Sequence, residues 1–494
     1  MKKLAIATVF AGSTLVGGSW AAHAADLALK TPVYKAPIYK APVMAAYNWT
    51  GFYAGVNAGF GFGRDLTTLS EATSPFNSTR ISPLGAIGGG QMGYNWQIGN
   101  FGLGNIVLGL ETDIQGAGLT SHQPCTTLGF SPCSLLGQSP AFGTQYSQTL
   151  DWFGTARGRI GIATGPVLSY FTGGFAYGGV KTGFNDFAGG VTSFSETRTG
   201  WTIGSGVEAA LGGNWTGKIE YLYLDLGTQN GLGANPGDPT SSFSSDIREH
   251  IFRVGLNYRI GGQGAYAPEP LRDWSGLYIG GNGGSATARN ASALDFTNDG
   301  PIGQDRSFLS PDGYFGGAQI GYNWQAANWV LGFETDIQAS TQRDNNKVCL
   351  PVCTPTSAVS FDQKMSWFGT VRARLGYSIG SSLFYATGGL AYGDVKTTIN
   401  NSDTADNFFF SQTITHTKTG WTVGAGVETP FEFFNLFGKN WTSKTEYLYV
   451  DLGSTKDPVS VFGDSNTAFS THVQEHIFRS GLNYHFNAPV TARY

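Results

Sequence analysis

The sequence predicts an all-β membrane protein made of two tandem eight-stranded antiparallel transmembrane β-barrels. Three observations predict this class: an unusual composition, a long internal duplication, and period-two alternation within each copy. Glycine is abundant at 72 residues and aromatics reach 14%, yet charged residues fall to 13%. A soluble globular chain carries roughly a quarter charged residues. Disordered chains are poor in aromatics, so disorder is excluded as well. Many aromatics, many glycines and few charges suit strands with one face in lipid. The net charge of −4 gives no electrostatic case for nucleic-acid binding.

The N-terminus sets the compartment. Met1-Lys2-Lys3 is a basic start, Leu4 to Val16 is apolar, and Ala22-His23-Ala24 is a small-x-small cleavage site. This pattern is a secretory signal peptide over 1–24, leaving Ala25 or Asp26 first. Beyond it no apolar run is long enough to make a membrane-spanning helix. Insertion must therefore use a closed barrel, because only helices and closed barrels satisfy their backbone in lipid. Gram-negative outer membrane is the expected location. Cys125 with Cys133, and Cys349 with Cys353, form two local pairs. In an exported chain they are expected to be loop disulfides. No metal site is expected, since zinc spacing with nearby histidine pairs is missing.

The duplication is plain. Asn48-Trp49-Thr50-Gly51-Phe52-Tyr53 returns as Asp273-Trp274-Ser275-Gly276-Leu277-Tyr278. Gly93-Tyr94-Asn95-Trp96-Gln97 returns as Gly321-Tyr322-Asn323-Trp324-Gln325, and Glu220-Tyr221-Leu222-Tyr223 as Glu446-Tyr447-Leu448-Tyr449. Matching positions lie from 215 (Trp152 to Trp367) to 228 (Trp96 to Trp324) residues apart, too long for a solenoid repeat. The expected organisation is a Pro-containing periplasmic leader at 25–47, unit one at 48–260, a linker at 261–273, unit two at 274–486 and a tail at 487–494.

Unit one yields eight alternating segments near 51–63, 85–97, 105–116, 146–162, 167–181, 193–209, 214–226 and 247–260. Long connections near 64–84, 117–145, 182–192 and 227–246 alternate with short ones, as expected for outer loops and periplasmic turns. Parity assigns the faces. Met92, Tyr94 and Trp96 oppose Gln91, Gly93 and Asn95; Phe252, Val254 and Leu256 oppose Arg253 and Asn257. The apolar set is expected to face lipid. Trp49, Trp96, Trp152, Trp201 and Trp215, with Trp274, Trp324, Trp367, Trp421 and Trp441, fall near strand ends and are expected to form aromatic girdles.

The inward parity carries the charges. Glu111, Asp113, Glu208 and Glu220 share it with Arg157, Arg159, Lys218 and Arg253. Unit two repeats the set as Glu334, Asp336, Glu428 and Glu446 against Arg372, Arg374, Lys444 and Arg479. Buried charges persist when paired, and side chains just fill an eight-stranded barrel. A plugged, charge-neutral interior is therefore expected in each unit. The alternative is one fused sixteen-stranded barrel, whose wider lumen would make the same charges a selectivity ring of a passive channel for small solutes. No catalytic constellation appears. His250 and His476 begin an eighth strand without a second catalytic member, and no cofactor is expected.

The Asn-Trp-Thr-Gly-Phe-Tyr start, Gly-Tyr-Asn-Trp-Gln strand, Glu-Tyr-Leu-Tyr-x-Asp-Leu-Gly strand and Arg-x-Gly-Leu-Asn-Tyr end resemble the alphaproteobacterial major outer-membrane β-barrel proteins. These form a porin-like group within the superfamily of the OmpA-type transmembrane barrel. The resemblance covers nearly all of 48–260 and 274–486. It implies a non-enzymatic envelope-integrity and surface-antigen role among outer-membrane lipid and lipopolysaccharide. It also implies that barrel-assembly machinery reads a terminal Phe, whose place Phe486 holds ahead of the tail. Attachment to peptidoglycan through Ala25 of the Ala25-Asp26 start is a further implication, with the proline-containing leader as spacer. Some members bind haemin; His122, His416 and His472 are the candidate ligands. The chain departs from the family in carrying two units instead of one.

Overall fold

The computed structural model describes residues 47–70, 77–100, 105–126, 144–186, 191–233, 240–261, 271–296, 304–344, 357–403, 408–431, 438, 440–461 and 464–486. The signal peptide, Ala25, the leader up to residue 46, Cys133, Cys349, Cys353 and the tail lie outside the described residues, as does the side chain of Cys125. The expected disulfides fall outside them too.

Unit one contains β1 (Gly51–Gly63), β2 (Asp65–Ser70), β3 (Asn77–Ile81), β4 (Leu84–Asn100), β5 (Asn105–Thr126), β6 (Thr144–Thr164), β7 (Val167–Asp186), β8 (Val191–Gly212), β9 (Trp215–Leu232) and β10 (Ser242–Ile260). Unit two repeats them as β11 (Gly276–Ala288), β12 (Asn290–Phe296), β13 (Gln304–Leu309), β14 (Asp312–Ala326), β15 (Trp329–Asp344), β16 (Ser357–Ile379), β17 (Ser382–Asp403), β18 (Phe408–Pro430), β19 (Trp441–Val461) and β20 (Asp464–His485). In unit one the strands β1, β4 and β5 to β10 pair in order, and β1 also pairs with β10. The ring therefore closes within the unit, with Tyr53 opposite Arg259 and Gly59 opposite Arg253. Unit two closes likewise, with Gly284 opposite Arg479. These registers establish two eight-stranded barrels and overturn the fused sixteen-stranded alternative.

One end of each barrel is stitched by two-residue turns. Thr164 pairs with Val167 across Gly165-Pro166, and Gly165 takes φ +57°. Ile379 pairs with Ser382 across Gly380-Ser381, with Gly380 at φ +59°. Tight hairpins require this left-handed geometry, which glycine adopts without a Cβ clash. The corresponding turn between β14 and β15 places Ala327 at φ +53°, the one non-glycine with positive φ among the described residues.

The opposite ends differ from expectation. The stretch 64–84, expected as a loop, holds the hairpin β2–β3, and β2 pairs with the outer half of β10. The long strands break at Arg64 and at Ser82-Pro83. Pro83 has no N–H for the ladder. Its carbonyl instead accepts from Gly63 N–H at 2.7 Å, while Arg64 N–H reaches Arg248 O at 3.1 Å. Unit two repeats the break at Arg289 and Ser310-Pro311. Other expected outer loops are partly strand as well, since Ser121 pairs with Gln148 and Thr182 with Phe194.

Candidate functional site: the two barrel interiors

Each interior is layered. At the tight-turn end of unit one lies a cap of Tyr47, Trp49, Val107, Ala163, Leu168, Tyr170 and Ala210. The Trp49 backbone N–H donates to Gln97 Oε1 at 2.9 Å and its indole N–H to Gly165 O at 3.2 Å. In unit two Trp274 packs with Val330, Leu383 and Tyr385, and its indole donates to Ser378 Oγ at 3.2 Å. Trp49 is 1% exposed and Trp274 fully buried, so these two do not belong to the expected girdles. Each precedes its first strand and folds under the barrel mouth, where the indole has both an apolar seat and a hydrogen-bond acceptor. Trp96, Trp152, Trp201, Trp215, Trp324, Trp367, Trp421 and Trp441 point outward. Trp329 also points outward at the turn end and belongs with them.

Above the cap sit the charges. Arg157 forms ion pairs with Glu111, with Asp113 at 2.9 Å and with Glu220 at 3.1 Å. Arg253 reaches Glu220 at 2.5 Å and Asp113 at 2.8 Å. Lys218 holds Glu111 at 2.8 Å, and Arg159 holds Glu208 at 3.0 Å. Unit two superposes the same wiring. Arg372 pairs with Glu334, with Asp336 at 3.1 Å and with Glu446 at 2.8 Å. Arg479 pairs with Glu446 at 2.6 Å, Lys444 with Glu334 at 2.6 Å and Arg374 with Glu428 at 2.8 Å. All of these side chains are withdrawn from solvent. Each would carry a penalty of several kcal/mol if unpaired at this depth.

Neutral donors add to the shell. Tyr53 O–H donates to Glu111 at 2.8 Å, Tyr170 O–H to Glu220 at 2.9 Å and Thr155 to Asp113 at 2.8 Å. The Arg159 guanidinium stacks between the Tyr53 and Tyr170 rings, 4.7 and 5.0 Å from their centroids. A glycine makes room for this arrangement. A Cβ on Gly93 would stand 2.3 Å from Tyr53 Oη, so the missing side chain is the slot through which Tyr53 reaches Glu111. Gly321 serves Tyr278 and Glu334 in the same way.

A third layer was not expected. Leu222, Leu224 and Leu226 share the inward parity of Lys218 and Glu220, and join Ile87, Leu119, Leu150, Phe153, Val180, Ile247 and Ile251 in an apolar cluster inside the barrel, interleaved with buried Gln115, Gln148 and Glu249. Unit two has Phe315, Met365, Phe368, Leu448, Val450 and Ile477 there. The rule that apolar residues face lipid fails on these outer halves. In Tyr221-Leu222-Tyr223-Leu224 both faces are apolar or aromatic, so alternation carries no sign.

His250 and His476 both stack on Phe62, whereas two of the candidate haemin ligands each take a separate acidic partner. His416 pairs with Asp457 at 2.8 Å and His472 with Asp451 at 3.0 Å; the side chain of His122 lies outside the described residues. No group of three or more metal-ligating side chains occurs among the described residues.

The family model and the relatives agree with this architecture. The family model described as "Outer membrane protein beta-barrel domain" matches twice, at residues 36–259 and 262–486. The 31 kDa outer-membrane immunogenic protein of Brucella melitensis is 38% identical over 224 residues, covering 43% of this chain and 85% of the relative. The 22 kDa outer membrane protein of Rhizobium leguminosarum is 31% identical over 218 residues, covering 44% of this chain and 81% of the relative. Among solved structures, Ail of Yersinia pestis matches 40% of this chain and 98% of its own at 16% identity, with a TM-score of 0.17.

Proposed function

Because the chain belongs to the outer membrane protein β-barrel domain family and resides in the outer membrane of a Gram-negative bacterium, we propose that it is a non-conducting structural protein of the envelope and a surface antigen. One observation carries this reading: in the charge layer of each barrel, four carboxylates and four cations are engaged with one another. A porin lumen keeps its charges facing water to steer ions. Here they neutralise each other between an indole cap and an apolar plug.

The outward faces meet lipid and lipopolysaccharide, and the outer strand extensions present the antigenic surface. Barrel-assembly machinery reads the end of β20 at Phe486. The Ala25 amine joins peptidoglycan, which makes the chain a tether between membrane and wall. Two tests address the role. Cells lacking the protein should admit hydrophobic dyes and release periplasmic enzymes, and re-expression should restore the barrier; an intact barrier in the deletion strain would contradict an envelope role. Digested cell wall should carry a muropeptide on Ala25, and a free Ala25 amine would remove the tether.

A further inference from the structure

We propose that the two barrels of one chain dock side by side through a self-complementary face, so that the partner of each unit is the other copy of itself. Tyr221 and Phe252 of unit one occupy the places of Tyr447 and Phe478 in unit two. Tyr221 stacks on Phe478 with centroids 5.1 Å apart, and Phe252 meets Tyr447 at 4.6 Å. Exchanging the two copies exchanges these contacts, which is the signature of a twofold, isologous interface. Phe252 and Phe478 lie 5.7 Å apart on the local axis itself.

Two further self-pairs mark that axis at other depths. Ser82 Oγ lies 3.4 Å from Ser310 Oγ at the strand breaks, and these serines hold matching places. Val207 and its match Val427 share one buried cluster near the tight turns. Self-pairs at both ends and the middle put the axis along the barrels. Both units therefore point the same way through the membrane, as two barrels with an even strand number and a short linker require.

Matching arginines reinforce the outer end. Arg64 of unit one reaches across to Asp312, and to Asp344 at 3.5 Å. Arg289, its match, donates back to Ser82 O at 2.9 Å. Burial agrees: Phe252 faces outward but is 7% exposed, while Val254 on the same face is 57% exposed. Apolar faces gain little from leaving lipid for each other, so docking in a membrane rests on close packing and polar contacts. The packing is not continuous: Gly283, Ser285, Ser443 and Ser480 of unit two face Ile160 and Phe171 of unit one across a cavity beside the aromatic contact.

The test uses the full chain with its four cysteines changed to serine, a protease site placed within 262–270, and Ser82→Cys with Ser310→Cys. Mild oxidation should give a cross-linked species of monomer mass, and after cleavage the two barrels should co-elute from a mild detergent under reducing conditions. Cross-linked product only at dimer mass, or separate elution of the halves, would overturn the proposal. A second chain carrying Tyr221→Ala and Phe252→Ala changes only outward side chains, and both halves should keep their folded gel mobility. Those halves should separate after cleavage; folded halves that still co-elute would contradict the aromatic face as the docking surface.

Discussion

Lys218 Nζ lies 2.8 Å from Oε1 and 2.9 Å from Oε2 of Glu111, with both side chains sealed inside the first barrel. Lys444 and Glu334 repeat the pair at 2.6 and 2.8 Å in the second. An ammonium centred on a carboxylate in a buried interior has little water to fall back on, and the second carboxylate, Glu220 or Glu446, stands farther off at 3.8 and 3.9 Å. Removing one member is far costlier than never having had the pair. Lys218→Met should destabilise unit one by about 3–5 kcal/mol, since Glu111 keeps one charge too many beside Asp113 and Glu220. Adding Glu111→Gln should recover a large part of that loss. Urea unfolding of the refolded chain in detergent, followed by gel mobility, checks both; equal stability of the single and double variants would contradict the pairing.

The slot at Gly93 should be intolerant of even one methyl group. A Cβ there meets Tyr53 Oη and the Leu110 carbonyl, at 2.3 and 2.4 Å. Gly93→Ala should cost about 1–3 kcal/mol, the usual range for overpacking a filled interior. Gly90, on the outward face of the same strand, has only a backbone oxygen at 3.7 Å near its would-be Cβ. Gly90→Ala should leave the unfolding midpoint nearly unchanged, and the comparison is made in urea.

The turn at Ala327 is expected to gain from a smaller residue. An alanine at φ +53° carries left-handed strain of about 1 kcal/mol that glycine does not. Ala327→Gly should raise the unfolding midpoint of unit two by a matching amount, and an unchanged or lower midpoint would contradict the turn geometry.

The tryptophans should divide by environment. Trp96 stands on the lipid face, whereas Trp49 is enclosed by the cap. In single-tryptophan versions of the chain, brominated lipids should quench Trp96 strongly and leave Trp49 bright. Equal quenching would return Trp49 to the girdle.

Much of this architecture was readable along the chain because membrane strands separate their faces by parity. Glu111, Arg157, Glu220 and Arg253 announced themselves as inward by standing opposite Leu110, Ala156, Tyr221 and Val254. What parity could not deliver were the places where composition is the same on both faces or where the chain leaves the strand. Leu222 and Leu224 lie inside although they look like lipid-facing residues, because the strand keeps its parity past the charges and the barrel interior there is filled largely by apolar side chains. Trp49 and Trp274 sit before their first strands, so no alternation bears on them, and only the closed mouth of the barrel draws them in. The β2–β3 hairpin follows a break at Arg64 and precedes one at Pro83, and such interruptions look like loop. The partner of each interior charge was likewise unreadable: Arg157 meets three carboxylates drawn from β5 and β9, a convergence that exists only once the ring closes.

Sealed interiors in both barrels are what a non-conducting role requires. Planar-bilayer recording of the purified, refolded chain tests this most directly. The layered interiors of both units should give a silent bilayer, with no stable conductance steps above the leak. Reproducible steps in the nanosiemens range would contradict the sealed interior and return the paired charges to the wall of a pore.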